Sequence, residues 1–230
     1  MRRQDIAFII TVSAIVLAVR SLVLGNYVWI LAWFLVGVVS AIAGQYWSRK
    51  YPGPMSYVLY WILYFPRPYH STRRLKQILD PGKGERLLEI GPGIGLHALP
   101  IARSLGPEGV LNVLDIQERM ISHLNRRAAR AGVTNIVATQ ADAKELPYAD
   151  DTFDGVCLVT TLGEISDKDA ALREIHRVLK HSGRLIIGEF FLDPDFQTLN
   201  ETQERLGRLG FAFDRKAGPA WSYLARFTPK

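Results

Sequence analysis

The chain has 230 residues, 48% of them hydrophobic, with a mean hydropathy of +0.06 and a net charge of +6. That is too apolar for an ordinary domain with a solvated surface, and far from a disordered chain. A single cysteine, Cys157, excludes an intrachain disulfide framework and a cysteine-based zinc cage.

The charge is unevenly spread. Residues 1–50 hold five bases (Arg2, Arg3, Arg20, Arg49, Lys50) against one acid, Asp5, whereas the other 180 residues carry 23 bases and 21 acids. A nucleic-acid binder would place its positive charge on the folded domain. Here it sits beside an apolar segment, which points to a membrane and not to nucleic acid.

Residues 6–24 are apolar except for small hydroxyls and Arg20, and Tyr27–Gly44 contains no charge at all. Each run makes roughly 27–29 Å of helix, close to the hydrocarbon thickness of a bilayer. Gly25-Asn26 between them reads as a tight turn, so residues 1–44 are expected to form a transmembrane helical hairpin. Bases flank both outer ends and the turn carries none, which puts both ends in the cytoplasm. Arg20 is placed to snorkel towards the outer headgroups. Two other readings are weaker. The first A-x-A, at Ala41, follows the second run, too late for a cleaved signal, and a single helix over 6–44 would be about 58 Å long.

Residues 45–79 form a second unit. No acid occurs between Asp5 and Asp80, and Arg49, Lys50, Arg67, Arg73, Arg74 and Lys76 are interleaved with tyrosines, tryptophans and a phenylalanine. Aromatics with bases suit the headgroup layer. Met55–Phe65, bounded by Pro54 and Pro66, predicts an interfacial helix in the membrane plane, or else an aromatic cover over the following domain.

From residue 80 to 230 strands and helices alternate. Strands are expected at Arg86–Gly91, Val110–Asp115, Asn135–Thr139, Phe153–Thr160 and Arg184–Phe191. Helices are expected at Leu96–Leu105, Glu118–Ala131, Asp167–His181 and Phe196–Leu209. This pattern predicts an α/β, doubly wound, mainly parallel sheet. Two further strands at Phe211–Lys216 and Trp221–Thr228 bring the count to seven and suggest an antiparallel hairpin closing one edge.

The chemistry lies at the strand ends. Gly91, Gly93 and Gly95 follow the first strand in Leu-Leu-Glu-Ile-Gly-Pro-Gly-Ile-Gly, a tight strand-to-helix turn that lets a ligand approach the backbone. A nicotinamide loop would carry its third glycine at 96, which is Leu96, and Glu89 would oppose a pyrophosphate but suit an ammonium group. Asp115 ends the second strand and Asp142 follows the third.

The segments LLEIGPGIG, VLDI, ADAKELPY, TFDGVCLV and REIHRVLKHSGRLIIGEF resemble class I S-adenosylmethionine-dependent methyltransferases. The resemblance spans about residues 72–230. It is nearest the branch holding ubiquinone/menaquinone biosynthesis methyltransferases and bacterial phospholipid N-methyltransferases. It implies S-adenosyl-L-methionine as cofactor, with Glu89, Gly91, Gly93 and Gly95 around its methionine part and Asp115 on its ribose. Ile116 would pack on the adenine, Asp142 and Ala143 would recognise the adenine edge, and Thr160 would line the methyl-transfer site.

Glu164, His97, Tyr69 and His70 are the candidates for meeting the acceptor. Cys157 reads as core, while His123, His176 and His181 read as solvated surface. Asp154 and Glu189 are expected to fix strand ends. No histidine pair or carboxylate cluster has metal-ligand spacing. The membrane segment makes a lipid the expected acceptor, either a phospholipid amine headgroup or an isoprenoid quinone precursor. The alternatives are a tethered methyltransferase of a soluble small molecule or protein, and a non-catalytic cofactor-binding scaffold.

Overall fold

The computed structural model describes residues 3–64 and 70–230. Arg2, Phe65, Arg67 and Tyr69 lie outside the described residues. Helices α1 (Arg3–Val23) and α2 (Tyr27–Lys50) run antiparallel through a turn at Gly25, whose φ of +71° suits glycine. Both are long and apolar enough to cross a membrane by length and composition.

Small residues explain how closely they pack. Ala7, Ala14 and Ser21 recur every seven residues on α1 and are buried; Gly37, Gly44 and Ser48 are buried on α2. A Cβ at position 44 would lie 3.2 Å from that of Ala7, and one at 37 would lie 3.6 Å from that of Ala14. Backbones without large side chains between them approach closely, which is how helices associate where apolar burial offers no advantage over lipid. The Thr11 and Ser40 hydroxyls, 2.6 Å apart, both reach the Ala7 carbonyl. The outer faces expose Ile15, Val16, Val28, Leu31 and Phe34.

Seven strands make one sheet: β1 (Arg86–Ile90), β2 (Val110–Asp115), β3 (Ile136–Gln140), β4 (Phe153–Val159), β5 (Leu179–Phe190), β6 (Phe211–Ala217) and β7 (Ser222–Pro229). Their order is β3-β2-β1-β4-β5-β7-β6, with β7 antiparallel to both neighbours and the other pairings parallel. The terminal hairpin therefore closes one edge, as its missing helix suggested. Helices α3 (Thr72–Leu79), α4 (Ala98–Leu105) and α5 (Glu118–Arg130) cover one face; α6 (Lys168–Val178) and α7 (Leu199–Arg208) cover the other. Strand side chains alternate between the two cores: Leu87, Cys157 and Ile186 face the first, Leu88, Val156 and Leu185 the second. Cys157 is fully buried, as expected of a core residue.

Two boundaries differ from the sequence expectation for local reasons. The helix drawn through His181 ends at Val178, because the Arg177 and Val178 carbonyls accept from Asp151 and Thr152 N–H at the start of β4. Leu179 then pairs with Phe153, so β5 begins five residues before Arg184 and His181 is an exposed strand residue. Helix α7 starts at Leu199, not Phe196, because Thr198 and Glu201 form a reciprocal capping box. Arg184 is buried and ties the lower sheet edge together. Its guanidinium pairs with Glu85 at 2.5 Å and donates to the carbonyls of Leu79, Asp80 and Asp154. Asp154 holds the start of its strand by accepting from Arg86 N–H at 2.9 Å and from Lys180 at 2.6 Å.

Between hairpin and sheet, within the stretch expected to be helical, Tyr57–Tyr64 forms a 3-10 helix. One side docks on the domain. The Tyr57 hydroxyl lies 3.2 Å from His123 Nδ1, the Tyr60 ring packs on the same imidazole, and the Met55 carbonyl accepts from Gln117 at 2.9 Å. His123, expected on solvated surface, is partly buried as a docking point for these aromatics. The opposite side exposes Val58, Trp61 and Tyr64.

Candidate functional site

The carboxyl ends of β1, β2 and β4 open into a cavity of about 340 Å³, a size typical of small-molecule sites. This is where a doubly wound sheet places its ligand. Glu89, Gly91, Gly93, Asp115, Ile116, Asp142, Ala143 and Thr160 all line it, so eight of the nine expected cofactor residues converge on one space. The ninth, Gly95, closes the turn behind it: at φ +77° its Cα faces Leu124 and Leu99, and a Cβ there would come within 2.9 Å of Leu124.

The glycine loop is built for close approach. Gly91 has φ +68° and Gly93 φ +53°, conformations that L side chains rarely adopt. A Cβ at 91 would lie 2.4 Å from Thr161 Cγ2, and one at 93 would lie 2.9 Å from Leu63 of the aromatic segment. Thr160 is itself left-handed at φ +53°, held by its N–H on the Gly188 carbonyl at 2.8 Å. A β-branched residue in that region carries strain, which folds concentrate at functional sites.

The electrostatics are set by burial. Glu89 is 2% exposed, and its Oε2 has no hydrogen-bond partner among the described residues. Desolvation lifts its pKa from 4.5 to about 8. Desolvation also lifts Asp115 to about 6, although the backbone N–H groups of Gln117 and Gly93 oppose the shift. Glu89 lacks a donor on Oε2 that would stabilise its charged form, and the two backbone donors of Asp115 offset its burial only in part. Asp142 accepts from the Lys144 N–H at 3.0 Å and pairs with its ammonium at 3.3 Å. Ile116 remains exposed on the cavity wall, offering a flat apolar surface.

The acceptor candidates divide. Glu164, at the end of the short 3-10 turn Leu162–Glu164, and His97 both line the cavity; His97 Nδ1 lies 3.0 Å from the Thr72 hydroxyl. His70 does not reach it. It is buried, packing on Phe190 of β5 with Nε2 3.2 Å from the Tyr223 carbonyl of β7. Tyr69 lies outside the described residues. Glu189 holds the end of β5, accepting from Gln197 N–H at 3.2 Å.

Sequence reasoning missed one whole wall. Gln4, Asp5 and Phe8 of α1 and Ser48 of α2 line the cavity, as do residues 52–55 and the loop 192–195 after β5. The solitary acid Asp5 was the one visible signal. Thr161, which packs over Gly91, was also missed.

The fold and this cavity define a cofactor-binding α/β domain of the methyltransferase type. A solved S-adenosylmethionine-dependent methyltransferase from Aquifex aeolicus matches the fold at a TM-score of 0.69 and 19% identity, over 76% of this chain and 98% of that one. The ubiE/COQ5 methyltransferase family model matches residues 68–204, and the chain belongs to that family. Relatives include the ubiquinone/menaquinone biosynthesis C-methyltransferase of Saccharophagus degradans, 40% identical over 46% of this chain and 43% of its own length. Another is the 27-O-demethylrifamycin SV methyltransferase of Amycolatopsis mediterranei, 36% identical over 60% of this chain and 51% of its own. The chain thus spans about half the length of the curated relatives it matches. The family implies S-adenosyl-L-methionine as cofactor. A buried carboxylate with an unpartnered oxygen, a glycine turn open to close approach and an acid beside exposed Ile116 suit its ammonium, its methionine part and its nucleoside.

Proposed function

We propose that the protein is a membrane-anchored S-adenosylmethionine-dependent methyltransferase acting on a lipid acceptor. In this reading residues 1–44 span the membrane as a hairpin, 45–79 lie at its surface, and 80–230 form a catalytic domain in the cytoplasm. Glu89 holds the cofactor's ammonium, Asp115 its ribose hydroxyls and Asp142 with Ala143 its adenine edge. Bound there, the cofactor supplies a methyl group on a sulfonium, already a good leaving group.

The chain's own task is to position an acceptor about 3 Å from that methyl and to exclude water. Leu63 packs on Gly93 of the glycine loop, and residues 52–55 line the same cavity. Thr160, Glu164 and His97 face the space left for the acceptor, where Glu164 or His97 can take a proton from it.

The observation that carries the lipid reading is the shared cavity: its walls come from the glycine loop and from the inner ends of two helices long and apolar enough to span a bilayer. An acceptor confined to the bilayer meets such a wall at high effective concentration. Relatives named for carbon and for oxygen acceptors leave the acceptor atom open within the family. The test is transfer of labelled methyl by the full-length protein in vesicles of total membrane lipid. Label in the organic phase supports the reading, and label confined to water-soluble products or protein contradicts it.

A further inference from the structure

We infer that Phe191, Leu192 and Trp221 form a patch through which the catalytic domain itself docks on the bilayer surface. The inference rests on the membrane-anchored reading above and adds a lipid contact that lies far from the hairpin in sequence. All three side chains are exposed, at 44%, 62% and 42%. They are also contiguous. The Phe191 N–H donates to the Trp221 carbonyl at 2.9 Å, the two rings meet edge to face at 5.8 Å, and Phe190 backs both. The end of a strand pair thus presents the patch in a fixed arrangement. Outside the cavity, the other exposed large hydrophobics among the described residues of the domain are Val137 and Phe213, set apart on the edge strands β3 and β6. Apolar side chains scattered singly need no partner, whereas a contiguous patch marks an interaction surface.

Its position selects the bilayer as that partner. Strand β7 runs antiparallel to β5, so Trp221 meets the end of β5 at the sheet edge where the carboxyl ends of β1, β2 and β4 open into the cavity. The hairpin reaches the same edge: Arg49 of α2 donates to the Phe196 carbonyl, in the loop after β5, at 3.2 Å. Towards β2, the 3-10 helix lines the cavity with Leu59 and Leu63 and exposes Val58, Trp61 and Tyr64. Two apolar patches therefore flank the cavity, with the inner end of the hairpin beside it. The charge fits a headgroup layer as well. Arg49 and the exposed Lys216, whose ammonium reaches the Gly218 carbonyl on the turn before Trp221, are bases near the patch. The acids of the same loop, Asp193 and Asp195, line the cavity instead. Aromatic rings with bases are the combination that the membrane interface favours. Leu192 belongs both to the patch and to the cavity lining, and so makes an apolar step from the bilayer to the acceptor space.

The test places a polarity-sensitive fluorophore on the full-length protein through Leu192→Cys, Trp221→Cys or Glu108→Cys, the last an exposed site at the opposite edge of the sheet. Cys157 is fully buried and takes no label. The protein is reconstituted in vesicles of phosphatidylcholine and phosphatidylglycerol whose acyl chains carry a nitroxide either near the headgroup or near the chain end. The shallow nitroxide should quench the labels at 192 and 221 roughly twofold or more, and the deep one less; neither should quench the label at 108. Phe191→Asp should lower quenching at 221 by about half, with S-adenosylmethionine affinity unchanged. Unchanged quenching in Phe191→Asp would mean that the tether alone brings the site near lipid, and overturns the inference. Labels that no nitroxide quenches, on protein that floats with the vesicles, overturn it and leave the anchor standing. Labels that instead quench one another between copies assign the patch to a second chain and also overturn it. Protein that does not float with the vesicles overturns the anchor and the inference together.

Discussion

Thr161 fills the space that a side chain at position 91 would need: a Cβ on Gly91 would lie 2.4 Å from its Cγ2 and 2.5 Å from its Oγ1. The same hydroxyl donates to the Val159 carbonyl at 3.1 Å, so the threonine cannot simply swing away without losing that bond. The β1 loop is therefore closed by the loop after β4, and the two form one rim of the cavity.

Gly91→Ala should accordingly reduce S-adenosylmethionine affinity more than tenfold. The left-handed φ alone costs about 1–2 kcal/mol in an alanine, and the clash adds to it. Adding Thr161→Ala should recover part of the loss by removing the obstacle and leaving only the φ cost. Cofactor titration of the single and double variants checks this; a double variant no better than Gly91→Ala would show that crowding is not the cause.

Glu89 makes the fold pH-sensitive. Its folded-state pKa, about 8, is above the ordinary 4.5, so its contribution to stability is fully present below about 4.5 and is lost as pH rises through about 8. Each unit is worth about 1.4 kcal/mol. Glu89→Gln, which cannot ionise, should gain thermal stability over wild type at pH 9 and show little difference at pH 4.5. Melting curves of the cofactor-free protein at the two pH values measure it, and an equal difference at both would contradict the buried, unpaired carboxylate.

Arg184 binds three carbonyls and Glu85 from a buried position, so Arg184→Ala takes this donor from the carbonyls and leaves Glu85 without its cation. A loss of about 3–5 kcal/mol is expected in urea denaturation. A change below about 1 kcal/mol would mean that water replaces the guanidinium.

The orders of strand and helix, the glycine loop and the acids at strand ends were legible because each depends on local pattern: alternation, turn chemistry, and one residue type at the end of a strand. What was illegible depends on docking. Nothing in His70 or His123 says that one packs under β7 and the other under an aromatic segment. Helix α6 stops at Val178 because the Arg177 and Val178 carbonyls find donors in Asp151 and Thr152, far upstream, a pairing no helical periodicity encodes. The hairpin read as a membrane anchor, and its inner end as a flank; only the folded chain puts Gln4, Asp5 and Ser48 into the cavity wall.

If both ends of the hairpin face the cytoplasm, reporters fused at Asn26 and after Lys230 should report opposite sides of the membrane. Reporters on the same side would refute the hairpin, and with it the bilayer-facing wall.

The most direct measurement is isothermal titration of S-adenosylmethionine into the full-length protein and into Asp115→Ala. One site is expected in the wild type, at least tenfold weaker in the variant through loss of charge-assisted ribose hydrogen bonds worth about 1.5–3 kcal/mol. The nicotinamide dinucleotide should give no heat, because Leu96 and Glu89 do not suit its pyrophosphate. Equal affinity in wild type and variant, or binding of the dinucleotide in place of S-adenosylmethionine, would contradict the assignment of the cavity.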